Sequence, residues 1–219
     1  MKNLTKKNPV TISDVAKSAG VSPSTVSRVI SNSSKISAAT KGKVLKHMKE
    51  LGYHPNAIAR SLAKNKTGNI GIIMPSRSED IFLNPFFPEA LRGIAKAAAN
   101  NGYDVLLSTL EDELNSIKSL INSSKVDGII LMSSKKEDES MEFLSSTSFP
   151  FTIIGTPYKK DREINYVEND NFMAAYELTT YLTSIGKKNI AMIAGDPGLM
   201  VTRDRIEGYK KSIEENNLV

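Results

Sequence analysis

Residues 21–31, VSPSTVSRVIS, carry hydroxyls and one guanidinium at helical spacing. Ser22 is a good N-cap, and Pro23 follows at the first helical position, where its missing N–H is harmless. Val26, Val29 and Ile30 then share one face, leaving Ser24, Thr25, Ser27 and Arg28 on the other. Hydroxyls bond base edges or phosphates, and an arginine binds guanine O6 and N7 with two donors. A slim outer face without acids, able to hydrogen-bond, suits insertion into a major groove. The alternative for each serine is an ordinary exposed helix position. A second set is spread along the chain: Phe82, Phe86 and Phe87, then Ser133, Ser134, Thr156, Asp196 and Arg205. Aromatic rings stack on the apolar face of a sugar, and the polar groups suit its hydroxyls. The alternative makes the phenylalanines core and their loop a plain turn.

The first set needs a scaffold, and its neighbours supply one. In TISDVAKSAG, Ile12, Val15, Ala16 and Ala19 form an apolar stripe, with Ser13 and Asp14 in the exposed first turn. Ala16 permits close approach of two helices, Gly20 makes the turn, and Val26 packs back between them, which is the spacing of a helix-turn-helix. A third helix is predicted from about Ser37 to Leu51, with Thr40, Val44, Leu45, Met48 and Leu51 covering the first two and Gly52 ending it. Residues 1–66 carry 13 basic side chains and two acids (Asp14 and Glu50), a net of +11; the remainder carries 16 and 22, a net of −6. A basic head on an acidic body is the footprint of a polyanion binder. Next, NAIARSLA offers an N-cap in Asn56 and apolar Ile58 and Leu62, flanked by Arg60, Lys64 and Lys66. Two turns are unstable alone in water, so this segment orders on binding. Leu62 is then a minor-groove wedge or, as composition alone favours, a buried residue of a linker helix.

From residue 69 short apolar runs alternate with helical stretches: NIGIIMP, PEALRGIAKAAANNGY, DVLLSTL, DELNSIKSLINSS, VDGIILMS, EDESMEFLSS, FPFTIIG, DNFMAAYELTTYLTSIG, KNIAMIAG and TRDRIEGYKKSIEEN. That alternation predicts βαβ units, a parallel sheet and helices on both faces. Ligands of such sheets bind beyond the carboxyl ends of the strands, where the second residue set falls. The expected architecture is an all-α helix-turn-helix head and an α/β body.

Composition excludes several functions. The 219 residues are 40% hydrophobic and contain no cysteine, so there is no disulfide, thiolate metal site or cysteine nucleophile. No metal or cofactor site is expected. MKNLTKKNPV is not followed by an apolar signal-peptide core, and no run approaches a membrane span, so a cytoplasmic protein is expected. Both histidines, His47 and His54, lie in the basic head, and no dinucleotide, phosphate-loop or nucleophile-elbow motif occurs, which argues against an enzyme. A sugar-binding transport receptor is a rival that the head disfavours.

VTISDVAKSAGVSPSTVSRVIS followed by LGYHPNAIARSLA resembles the lac repressor (LacI/GalR) family of bacterial transcription regulators. The resemblance implies two subunits on a palindromic duplex operator, with paired hinge helices inserting the leucine that matches Leu62 into the minor groove. It places major-groove reading at Pro23, Ser24 and Arg28; Pro23 has no side-chain donor, so that position is read by apolar contact or not at all. The candidate DNA-facing set is thus Thr11, Ser22, Pro23, Ser24, Thr25, Ser27, Arg28, Asn56, Ala59, Arg60 and Leu62. The body resembles periplasmic sugar-binding proteins, two lobes with an effector between them. The family's cleft positions fall on Phe86, Phe87, Ser133, Ser134, Thr156 and Arg205; Asp196 is added from the loop pattern. NPFFPE and TRDRIEGY look most like maltose-type sugar-operon repressors. The implied function is repression of carbohydrate-utilisation genes by a homodimer gated by a small sugar. The implied domains are 1–55 for the DNA-binding head, 56–68 for the hinge, 69–168 for the first lobe and 169–219 for part of a second. The family's chains are longer by about half. The expectation is therefore a C-terminally truncated chain with an incomplete second lobe, or a regulator that binds DNA without effector control.

Overall fold

A computed structural model describes residues 10–54, 66–75, 83–109, 112–158 and 164–218. The chain divides into two compact units, Met1–Thr67 and Gly68–Val219.

The first unit is three helices: α1 (Ile12–Ala19), α2 (Pro23–Ile30) and α3 (Ala38–Leu51). Each has a side-chain cap. Thr11 Oγ1 accepts from Asp14 N–H at 3.3 Å while Thr11 N–H donates to Asp14 Oδ2 at 2.8 Å, a reciprocal capping box. The Thr11 hydroxyl, donating to Asp14 Oδ2 at 2.7 Å, and after it the Thr11 N–H hold the Asp14 carboxyl below its ordinary value. Ser22 caps α2, with Pro23 at its first position, and Ser37 caps α3. Gly20 ends α1 at φ 61°, a left-handed conformation that glycine adopts without Cβ strain, and this turns the chain into α2. Val15, Ala16, Ala19, Val26, Val29, Val44 and Met48 form the closed core. Leu45 and Leu51, expected to join it, are exposed. Val44 and Met48 make the inward stripe of α3, Leu45 lies a further 100° round the helix, and Tyr53 packs on the core just past the helix end.

The second unit is built on β1 (Asn69–Ile73), α4 (Phe86–Asn100), β2 (Asp104–Ser108), α5 (Glu113–Asn122), β3 (Gly128–Leu131), α6 (Glu139–Ser146), β4 (Phe151–Ile154), β5 (Tyr166–Val167), α7 (Asn171–Ser184) and α8 (Met200–Glu215). The strands form one parallel sheet in the order β2-β1-β3-β4-β5, with Asn69 opposite Asp104, Ile70 opposite Gly128, Ile129 opposite Phe151 and Ile153 opposite Tyr166. One face packs Ile73, Ile129, Leu131 and Ile153 against Ile117 and Leu120 of α5 and Met141 and Leu144 of α6. The other packs Ile72, Met74 and Met132 against Ala90, Leu91 and Ile94 of α4. Helices on both faces explain why the strands read as continuous apolar runs.

Helices α7 and α8 pack closely on each other. A Cβ at Gly208 would lie 2.1 Å from the Phe172 carbonyl oxygen, so only glycine allows the crossing. The segment KNIAMIAG, expected as a strand, is not one: residues 187–196 are without regular structure and Ile193 is fully exposed. A strand exists only through a ladder partner, and no strand among the described residues lies beside it. None of the described helices is long and apolar enough to cross a membrane.

Candidate nucleic-acid interface and ligand cleft

The buried face of α2 fixes its outer face. With Val26 and Val29 in the core, Ser24, Ser27 and Arg28 are left exposed, together with Ser22 and Pro23 before them; Thr25 is half-buried. The Ser22 hydroxyl organises the helix start. It accepts from Thr25 N–H at 3.2 Å and lies 2.8 Å from the Ser24 hydroxyl and 2.9 Å from that of Thr25. The Arg28 guanidinium makes no ion pair among the described residues, and α2 holds no acid in its first turn. A cation without an internal partner, beside a row of hydroxyls, is a surface ready for phosphate or guanine. Thr11 is exposed, but its hydroxyl is shared with Asp14, so the cap is its structural role. Ser18 Oγ and His47 Nδ1, 2.9 Å apart, tie α1 to α3, a link that periodicity alone gave no sign of. Asn56, Ala59, Arg60 and Leu62 lie outside the described residues.

A cavity of about 400 Å³ opens beside the carboxyl ends of β4 and β5. Phe86, Ala90 and Ile94 of α4, with Ile154 and Val167, form its apolar wall; Glu168, Asn169 and Asn171 supply polar groups. Arg205 joins at one remove, its Nε donating to Asn171 Oδ1 at 3.0 Å. The buried Thr156 hydroxyl bonds Glu168 Oε2 and lies 3.1 Å from Asp204 Oδ2. Ser134 is buried too, its Cβ 3.6 Å from where a Cβ on Gly155 would sit and its carbonyl accepting from Met200 N–H at 3.0 Å. Ser133, half-buried, precedes it.

Phe86 is the member of the expected set that lines this cavity; Ser133, Ser134, Thr156 and Arg205 are outside its lining, and two further members have other roles. Phe87 packs on the sheet core with Ile72, Met74 and Met132, because one helical step from Phe86 turns it toward the strands; the two rings meet edge to face at 5.4 Å. Asp196 sits in an exposed turn, its carboxylate accepting from Gly198 N–H at 2.8 Å. Conversely, Glu168, Asn169 and Asn171 escaped sequence reading. They follow β5, a two-residue strand too short to register as a period.

A second cavity, about 500 Å³, lies between the starts of α5 and α6. Here Lys135 Nζ donates to the buried Glu113 carboxylate at 2.6 Å, and Asp138 caps α6 by accepting from Ser140 and Met141 N–H at 3.0 and 3.1 Å. Burial pushes the Asp138 carboxyl above its ordinary value, helped by the neighbouring Glu113 charge and opposed by the Met141 bond. The same loop grips the start of α8: Lys135 pairs with Leu199, and Lys136 N–H donates to the Gly198 carbonyl at 2.9 Å. No group of three His, Cys, Asp or Glu side chains able to hold a metal occurs among the described residues.

Residues 11–56 match the family model for bacterial regulatory proteins of the lacI family, and residues 67–218 match that for periplasmic binding proteins and the sugar binding domain of the LacI family. The HTH-type transcriptional regulator MalR of Streptococcus pneumoniae is 44% identical over 216 residues, 96% of this chain and 64% of that protein. The lac repressor dimer bound to operator and the anti-inducer ONPF superposes with a TM-score of 0.81 at 27% identity, covering 97% of this chain and 64% of that one. A CelR–cellobiose complex superposes at 0.65 and 28% identity, covering 96% and 63%. This chain therefore spans a little under two thirds of the length of the curated relatives it matches.

Proposed function

This chain belongs to the LacI family of bacterial regulatory proteins, and from that premise we propose that it represses carbohydrate-utilisation genes by binding operator DNA under the control of a small sugar. The observation that carries this reading is the outer face of α2: exposed Ser24, Ser27 and Arg28 over a fully closed three-helix core, in the part of the chain with a net charge of +11. The helix enters the major groove. Arg28 reads guanine, Ser24 and Ser27 bond base edges or phosphates, and Pro23 makes an apolar contact. Ser22 and Thr25, tied to each other, hold the helix start at the backbone. Two copies act on a palindrome in the cytoplasm, and Leu62, with Asn56, Ala59 and Arg60, works at the centre of the site.

The sugar occupies the cavity beside β4 and β5. Phe86 offers a ring face; Asn171, held by Arg205, bonds hydroxyls; Thr156, outside the lining, supports Glu168 from behind. The lac repressor's operator complex and the cellobiose complex of CelR support both halves of the reading by analogy. No enzymatic step is part of it.

The deciding experiment is a binding selection of this chain against a random duplex pool at physiological salt. Enrichment of a two-fold symmetric motif is the expected result. Bound DNA with no shared motif would overturn the reading.

A further inference from the structure

The cavity beside β4 and β5 has one charged side chain in its lining among the described residues, and it is an acid. Phe86, Ala90 and Ile94 are apolar, Asn169 and Asn171 are neutral, and Glu168 is a carboxylate. A carboxylate accepts hydrogen bonds and donates none. It therefore sets the chemistry of what can sit beside it: Glu168 is exposed, so solvent screens its charge, but a donor is still favoured there and a second anion disfavoured. Arg205, the cation nearest in the network, is exposed and has its Nε turned to Asn171, so it does not replace Glu168 in the lining.

Glu168 is also joined to the rest of the unit through one buried atom. Thr156 Oγ1, at the end of β4, bonds Glu168 Oε2 and lies 3.1 Å from Asp204 Oδ2 of α8. Two carboxylates thus face one hydroxyl, and a hydroxyl has one proton to give. Each further donor that Glu168 accepts spreads its charge and weakens its hold on that proton. A ligand hydroxyl reaching Glu168 would free the Thr156 proton to turn toward Asp204, one residue before Arg205.

We propose that Glu168 is the specificity-determining residue of this cavity, selecting an uncharged polyhydroxy ligand over a sugar phosphate, and that Thr156 reports occupancy to α8 by passing its hydrogen bond from Glu168 to Asp204. The inference rests on the sugar-binding reading above and names what that site distinguishes.

The test uses the whole chain with cellobiose, maltose and glucose 6-phosphate as probes. Calorimetry on the wild type and on Glu168→Gln gives the ratio of neutral-sugar to phosphate-sugar affinity. Hydrogen exchange on the first turns of α8 gives the relay. The wild type should prefer a neutral sugar, and Glu168→Gln should shrink that preference ~10-fold or more. A neutral sugar should protect the amides of residues 200–206 in the wild type and in Thr156→Ser, but not in the near-isosteric Thr156→Val. If the wild type binds none of the three, the sugar reading and this inference fall together. If it binds glucose 6-phosphate as tightly as the neutral sugars, or if Glu168→Gln leaves the ratio unchanged, the selectivity assigned to Glu168 is wrong while the sugar reading stands. If Thr156→Val keeps the protection, the relay is wrong on its own.

Discussion

The head and the cleft prepare for their ligands in opposite ways. The head's candidate surface is one side of one helix, and the other side of the same eight residues is its core. The cleft takes Phe86 from α4, Glu168 from the end of β5, Asn171 from the start of α7 and, behind it, Arg205 from α8, so its geometry depends on how the sheet and four separate segments come together. On the proposed reading, the head is a surface whose affinity comes from charge and exposed donors. The cleft is a partly enclosed space whose affinity comes from shape and a few placed polar groups. Changes that act on charge should strike the first, and changes that act on packing should strike the second.

Salt gives the largest separation. Counterion release predicts that raising salt from 50 to 200 mM weakens duplex binding by the head ~1,000-fold or more if six or more phosphates are neutralised. Neutral-sugar binding should move far less, because it displaces no counterions. Fluorescence anisotropy on a labelled duplex and calorimetry on the sugar, each at both salt concentrations, check this. Equal sensitivity of the two would mean that head and cleft do not differ in how they hold their ligands.

Single substitutions sharpen it. Arg28→Ala should cost ~1–3 kcal/mol of operator binding, a loss of roughly 5- to 150-fold, and leave sugar affinity unchanged. Arg205→Ala should do the reverse, since it frees Asn171 at the cavity wall without touching the head. Lys135→Met tests the body's packing in another way. It leaves the Glu113 carboxylate buried without its cation, at a cost of ~1–3 kcal/mol to the second unit. The backbone bridge from residue 135 to Leu199 at the start of α8 is kept, so the change acts through the ion pair alone. Urea unfolding should show a lower midpoint for the second unit and an unchanged one for the first. A matching fall in both would mean that the two units do not unfold separately.

The same contrast explains what could be read from the residues alone. The head was legible because its information is periodic and local: Ala16, Gly20 and Val26 lie within eleven residues, and each occupies the role that spacing assigns it. Most of the order of strands and helices in the body was legible as well, for the same reason, though β5 was not expected and KNIAMIAG is not a strand. The cleft was legible in part. Phe86 lines the cavity, Arg205 reaches it only through Asn171, Phe87 went to the core, and Glu168 and Asn171 were missed, because they follow a two-residue strand and open a helix, and their importance comes from neighbours far away in sequence. KNIAMIAG shows the limit most plainly. Its apolar pattern reads as a strand, yet a pattern is only half of a strand, and the other half is a partner.

Asp138 offers the smallest effect and the cleanest sign. It caps α6 from a buried position in the second cavity, near Glu113, and folding raises its carboxyl above the ordinary 3.8. The folded state therefore holds this proton more tightly than the unfolded chain does. The resulting stabilisation is complete below pH 3.8 and is lost as the pH rises through the raised folded value. At neutral pH the chain thus keeps an ionised group where burial disfavours it. Asparagine caps a helix about as well as aspartate and does not titrate. Asp138→Asn should then raise the urea midpoint of the second unit at pH 7, and the advantage should shrink as the pH is lowered toward 4. Lys135 and Glu113 are present in both proteins, so the difference between them isolates the Asp138 proton. An advantage that stays constant with pH would mean that the substitution acts through cap geometry. A loss of stability at pH 7 would mean that the carboxylate's charge at the α6 N-terminus, together with its attraction to Lys135, outweighs the cost of its burial.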